Sequence, residues 1–218
     1  MREYYFANLG ITVRENGQIN CGTVWSFGKV PEMAVYKMVH SPVTLSSYYV
    51  HRLVAKAFVR NPSPAQLTHV DHIDRSKSDE HSNAASNLRW VNRQLNSLNR
   101  LTKNYEYQKR FQNYKTKIKH DGSVLCLGWY KTSEDAQKVV NAWKEVKFRL
   151  KYLSYVTNDH YHWAEVSNRA FLLASKTTFA QGVAYLNLRA SRHRSLRKAL
   201  RVLLASYPEA SANVALKF

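Results

Sequence analysis

Residues 68–100, THVDHIDRSKSDEHSNAASNLRWVNRQLNSLNR, limit the fold more than any other part of the chain. LTHVDHI at 67–73 alternates in character, as a short half-buried strand does. DRSKSDEHSNAAS follows, a polar run with the composition of a loop. NLRWVN at 87–92 returns to strand character, and Asn92 is placed to cap a helix through Gln94, Leu95 and Leu98. The local order is therefore strand, loop, strand, helix. Taken alone, that order describes an ordinary hairpin with a capped helix.

The rest of the chain mixes strand and helix signals, so the fold class is α+β. YYFANLGITV at 4–13 is aromatic and β-branched, and Glu15-Asn16-Gly17-Gln18 carries an Asn-Gly turn. CGTVWSF at 21–27 is a second apolar run. SSYYVHRLVAKAFV at 46–59 changes from strand to helix, with Leu53, Val54, Ala57 and Phe58 on one face. Asn61-Pro62-Ser63-Pro64 ends that helix. NYKTKIKHDGSVLCLGWY at 113–130 reads as strands around an Asp121-Gly122 turn. Ser133 opens a helix with Glu134 and Asp135 in its first turn. Ala136, Val139, Val140, Trp143 and Val146 form its apolar face. Residues 152–218 look mostly helical, with a basic helix, RASRHRSLRKALR, at 189–201.

The 218 residues hold 33 Lys and Arg against 15 Asp and Glu, a net charge of +18. Such a charge opposes compaction unless it is neutralised, so the expected partner is a polyanion. The surplus is uneven: +4 over 1–99, +8 over 100–151 and +6 over 152–218. No apolar run approaches the roughly 18 residues of a membrane span, so no membrane partner is expected. The first ten residues lack the apolar core of a secretory signal. Cys21 and Cys126 stand far apart with no CxxC pair. That argues against a structural zinc and for a reducing, cytoplasmic setting.

The 68–100 segment resembles the HNH nuclease family. The match is Asp71-His72 in V-D-H-I-D, a polar loop, Asn87 in N-L-R-W-V, then Asn96 and Asn99 on the following helix. Many members carry His where this chain has Asn96 or Asn99, whereas phage and intron-encoded homing enzymes use Asn. The resemblance implies a ββα-metal (His-Me finger) core that hydrolyses phosphodiester bonds with one Mg²⁺ or Mn²⁺. His72 would take the proton from water. Asp71 and Asn96 would offer oxygens to the hard cation, with Asn99 as second-choice ligand. Asn87 would pin the loop and help orient the base. Neighbouring side chains on a strand face opposite ways, so Asp71 and His72 share one target only if the strand end is bent. His81 is expected to be solvated.

Two flanking segments extend the resemblance. Residues 4–17 resemble a small N-terminal module of phage HNH homing enzymes, and 49–62 resemble the strand–helix element leading into the metal hairpin. Residues 113–143 resemble the three-strand-plus-helix DNA-binding domain of plant ethylene-response factors. The echoes are Tyr114 and Ile118, Leu127-Gly128-x-Tyr130, and Thr132, Glu134 and Ala136. The implied division is 1–100 nuclease, 101–151 sheet-plus-helix domain, and 152–218 basic helical region. The implied partner is double-stranded DNA, gripped by a monomer. Candidate contacts are His51, Arg52, His69, Arg89 and Arg93 near the core. Lys115, Lys117 and Lys119 would add a stripe on one strand face, and Arg192, Arg194 and Arg197 a third set. Trp129 and Trp143 are expected in the core. Alternatives are a restriction or defence HNH nuclease, and a DNA-binding protein with a decayed nuclease core.

Overall fold

The computed structural model of the chain describes residues 1–75, 80–100, 102–156 and 179–208. It is mixed α+β, with small antiparallel sheets and five α-helices among the described residues. The chain folds as two compact units that divide between Asn96 and Ser97. No described helix is long and apolar enough to cross a membrane. His81 lies outside the described side chains, and 157–178 and 209–218 lie outside the described residues of the C-terminal region.

The first unit opens with an antiparallel meander of β1 (Glu3–Phe6), β2 (Ile11–Arg14), β3 (Ile19–Asn20) and β4 (Trp25–Ser26). The Asn-Gly turn joins β2 to β3. Gly17 takes φ +96°, and Asn16 Oδ1 accepts from the Gln18 amide at 3.1 Å. The apolar run 21–27 yields only the two residues of β4. Next comes a hairpin, β5 (Met38–His40) with β6 (Ser47–Tyr49), whose first strand carries no sequence signal. β6 runs into α1 (Val50–Phe58), the strand-to-helix change read in 46–59. A further hairpin pairs β7 (His69–His72) with β8 (Leu88–Val91), and α2 (Arg93–Leu98) follows. Asn92 caps α2, its Oδ1 accepting from the Leu95 amide at 2.9 Å.

One core ties these pieces together. Val50, Leu53 and Val54 of α1 pack with Ile11, Val13 and Ile19 of the meander and with Leu88 of β8. Burying each such side chain contributes about 1.5–3 kcal/mol. Two polar links then fix the height of the β7–β8 hairpin against α1. Trp90 Nε1 donates to the Val59 carbonyl at 2.9 Å, and Asn61 Nδ2 donates to the Leu67 carbonyl at 2.8 Å.

In the second unit, β9 (Tyr105–Gln108), β10 (Asn113–His120) and β11 (Ser123–Tyr130) form a sheet in the order β11-β10-β9. The Asp121-Gly122 turn has both residues at positive φ, 45° and 81°. α3 (Ser133–Val156) starts where its acidic first turn implies, capped by Thr132 Oγ1 accepting from the Asp135 amide at 3.1 Å. All five residues of its forecast apolar face are fully buried. β11 carries a bulge, since Thr116 pairs with Gly128 but Lys117 with Cys126, leaving Leu127 extra. A Cβ on Gly128 would meet the Tyr130 hydroxyl at 2.8 Å, and that hydroxyl donates to the Leu127 carbonyl at 2.9 Å. The Leu127-Gly128-x-Tyr130 motif is this bulge and its lock.

The basic segment 189–201 is not one helix. α4 (Phe179–Ala190) ends before a turn at 191–193, and α5 (Arg194–Ala205) begins after it. Arg192 sits exposed in that turn, while Arg194 and Arg197 fall in the first turn of α5. α5 buries Leu196, Ala199, Leu200 and Leu203, a spacing that leaves Arg194, Lys198 and Arg201 on its outer face.

Candidate active site

β7 is short, and its last two residues are Asp71 and His72. The ladder runs without irregularity through both, pairing Asp71 with Arg89 and His72 with Leu88. The chain bends at Ile73, directly after the strand. Asp71 and His72 both line one cleft of about 420 Å³, together with Tyr36, Arg75, Asn83 and Asn96. A larger cavity of about 530 Å³, lined by Cys21, Met38 and His40 among others, brings no such set together.

Asp71 is almost fully buried. Its Oδ2 accepts from Arg89 Nε at 3.0 Å and Nη2 at 2.8 Å. Its Oδ1 faces Arg75, whose Nη2 stands 3.3 Å away and also donates to Asn96 Oδ1 at 2.7 Å. One cationic nitrogen thus lies between the two oxygens proposed from sequence as metal ligands. A carboxylate and an amide oxygen converging on a cation form a hard donor pair, which suits Mg²⁺ or Mn²⁺. Among the described residues no group of three His, Cys, Asp or Glu side chains is placed to hold a metal.

The His72 ring is held on three sides. Its Nε2 lies 2.9 Å from Asn83 Oδ1, Tyr36 stacks on it at 5.8 Å, and His51 tilts against it at 5.3 Å. A carbonyl oxygen can only accept, so Nε2 carries the proton and Nδ1 is the lone-pair nitrogen. Burial pushes the His72 pKa below its ordinary value. The Asn83 bond and the Asp71 charge oppose that shift, and Arg75 adds to it. The balance favours the neutral imidazole, the form that accepts a proton.

Asn87 closes the loop that begins after β7. Its Oδ1 accepts from the Asp74 amide at 2.9 Å, and its Nδ2 donates to the carbonyls of Asp74 at 3.2 Å and Ser82 at 2.8 Å. It therefore pins both ends of the loop, while the contact to His72 comes from Asn83. The N-terminal module supports that contact from behind. The Ala85 amide donates to the Glu15 carbonyl at 2.8 Å, and Gly17 lies against the Asn83 backbone.

Several sequence expectations need correction. Arg89 is 2% exposed and committed to Asp71, so it is not a surface contact for DNA. His51 is 7% exposed and packed between Tyr36, Tyr49 and His72, so it too is not a surface contact. α2 ends at Leu98, so Asn99 does not continue the face of Asn96; it is buried and does not line the cleft. Arg52, His69 and Arg93 remain exposed, Arg52 donating to the Thr68 carbonyl at 3.3 Å and His69 Nδ1 lying 3.1 Å from Thr68 Oγ1. Sequence reasoning missed Tyr36, Arg75 and Asn83. Arg75 and Asn83 sit in a loop without periodicity, and Tyr36 lies in a stretch with no clear signal.

In the second unit, Lys115, Lys117 and Lys119 point outward, alternating with buried Thr116, Ile118 and His120. The bulge is in β11, so the stripe on β10 stays intact. Lys115 Nζ stands 4.9 Å from the Trp129 ring centre, and Phe111 meets the same ring edge-on at 5.6 Å. Trp129 is therefore half-buried on the lysine face rather than in the core, whereas Trp143 is fully buried. Arg197 is half-buried, and Arg192 and Arg194 are exposed.

Comparison with known proteins returned nothing for this chain: no family model, no curated protein and no solved structure matched.

Proposed function

We propose that the chain is a metal-dependent endonuclease of the HNH homing type, acting on double-stranded DNA through a ββα-metal core made of β7, β8 and α2. The observation that carries this reading is the cleft where His72, Asp71 and Asn96 meet, with both oxygens turned toward one cation. Bound there, Mg²⁺ or Mn²⁺ would supply positive charge to the phosphate and to the leaving 3′ oxygen. Asp71 Oδ1 and Asn96 Oδ1 are the protein oxygens that would hold it. His72 takes the proton from the attacking water. Asn83 fixes its ring, and the Tyr36 stack limits its tilt. Arg89 holds the Asp71 carboxylate in its orientation, and Asn87 keeps the loop closed. The expected products are a 5′-phosphate and a 3′-hydroxyl, and one site per chain fits a nick.

The grip on DNA falls to surface cations: Arg52, His69 and Arg93, exposed in the first unit, and in the second the exposed Lys117, Lys119, Arg192 and Arg194 with the half-buried Lys115. The test is nicking of supercoiled plasmid carrying the DNA that flanks the gene, with and without Mg²⁺. Wild type should nick only with metal, and His72→Ala should lose about 10²–10⁴-fold in rate. Wild type no faster than His72→Ala would leave a DNA-binding protein with a decayed core. Cleavage mapping decides between one long site, as homing requires, and many short ones, as restriction requires.

A further inference from the structure

The nitrogen between the two oxygens belongs to the chain itself. Arg75 lies four residues after Asp71, at the start of the loop, and its side chain is 36% exposed while that of Asp71 is 1% exposed. Arg89 engages Asp71 Oδ2, and Oδ1 is the oxygen that Arg75 meets. Arg75 Nη2 donates to that oxygen and to Asn96 Oδ1 at once.

We propose that Arg75 is the resident counter-cation of this site: it holds the Asp71 and Asn96 oxygens in register and competes with the divalent ion for them. This rests on the reading of Asp71 and Asn96 as metal ligands. The physical case has three steps. A buried carboxylate needs compensating hydrogen bonds and charge, and a second guanidinium on Oδ1 completes what Arg89 begins on Oδ2. A guanidinium suits that place because it stays charged and reaches two oxygens from one fork. A metal ion seated between the two oxygens, where the Arg75 nitrogen now stands, must displace that nitrogen. Arg75 must therefore withdraw before metal binds, which its exposed position on the loop allows. The apparent metal affinity is then the intrinsic affinity scaled by the fraction of sites from which Arg75 has withdrawn.

The experiment is Mn²⁺ binding to the full-length chain, by titration calorimetry and by the electron paramagnetic resonance of free Mn²⁺. It compares wild type with Arg75→Met, Arg75→Gln, Lys37→Gln and Asp71→Asn. Lys37 lines the same cleft, so its replacement removes one positive charge there while Arg75 keeps its bonds to both oxygens. Binding is measured at about 0.1 and about 0.5 M salt, the latter bringing the screening length below about 5 Å. Both Arg75 variants should bind Mn²⁺ roughly three- to tenfold more tightly than wild type at both salts. Lys37→Gln should tighten less and lose its effect at high salt, and Asp71→Asn should abolish binding. Arg75 variants that bind no more tightly than wild type overturn the proposal and leave the metal site standing. A gain that vanishes at high salt also overturns it, because only long-range charge is then at work. No detectable Mn²⁺ on any folded variant, judged by circular dichroism, overturns the metal reading and this proposal together.

Discussion

At the scale of single residues, the site depends on what compensates each buried charge. Asp71 stood out in the sequence as a candidate site residue, but its buried partner did not, because Arg89 read as one more cation in a basic chain. Only the pairing of β7 with β8 places the two opposite each other. Removing one partner of a buried ion pair strands the other, a loss of about 3–5 kcal/mol. Arg89→Leu should therefore lower unfolding stability by about 3 kcal/mol in urea titration. A surface DNA contact would change it by no more than about 0.5 kcal/mol. His51 gives the second residue-scale prediction. Its ring is held neutral by burial, by His72 and by Arg52, which together push its pKa from 6.5 to about 3. Tyr36 and Tyr49 also face it. Between those two pKa values the unfolded chain binds the proton and the folded chain does not. The contribution of His51 is thus intact above pH 6.5 and is lost as pH falls through that value. By pH 5 the loss is about 2 kcal/mol. His51 Nδ1 has no hydrogen-bond partner, so His51→Phe forfeits little at pH 7. Stability curves of wild type and His51→Phe should therefore diverge between pH 7 and pH 5, the variant falling less. Parallel curves would count against a buried, neutral His51.

At the scale of elements, signals set by two or three adjacent residues were readable and those set by distant contacts were not. The Asn16-Gly17 and Asp121-Gly122 turns, the Asn92 cap and the apolar face of α3 each follow from local chemistry, and each is present. The break at 191–193 was missed because the Arg-rich residues on either side mask it. The role of the first turn was missed as well. Gly17 is more than a turn residue, since an added Cβ would lie 3.0 Å from the Asn83 carbonyl carbon and 3.2 Å from the Ala84 nitrogen. Backbone cannot yield as a flexible side chain can, so Gly17→Ala should displace Asn83 and slacken its hold on His72. The expected result is a stability loss of about 1–2 kcal/mol together with a fall in nicking rate. Gly122→Ala is the matched control. It meets the same kind of strain, at φ +81°, but an added Cβ there has nothing within 4 Å. It should lose similar stability and keep its nicking rate per folded molecule. If both variants nick equally well once folded, the N-terminal module does not position the base.

At the scale of the whole molecule, the charge of +18 was the easiest property to read, yet its use depends on which cations remain free of internal partners. Folding removes Arg89 from the supply and engages Arg189, which donates to Asp135 at 2.6 Å. It leaves the Lys115–Lys117–Lys119 stripe facing outward. Lys117 meets Glu106 at 3.0 Å, but both side chains are about half exposed, so that pair adds little to stability. Lys115 lies over Trp129, which keeps its ammonium near an aromatic face. If the stripe contacts phosphates, each contact releases counterions and adds about 0.9 to the slope of log affinity against log salt. The triple change of Lys115, Lys117 and Lys119 to Gln should therefore reduce that slope by about 2–3. Affinity should fall similarly for target and unrelated DNA. The cleavage rate at saturating DNA should not change, because none of the three lines the cleft with His72. A solvated face with no DNA role predicts an unchanged slope. A fall in rate without a fall in slope would instead give the stripe a part in shaping the active conformation.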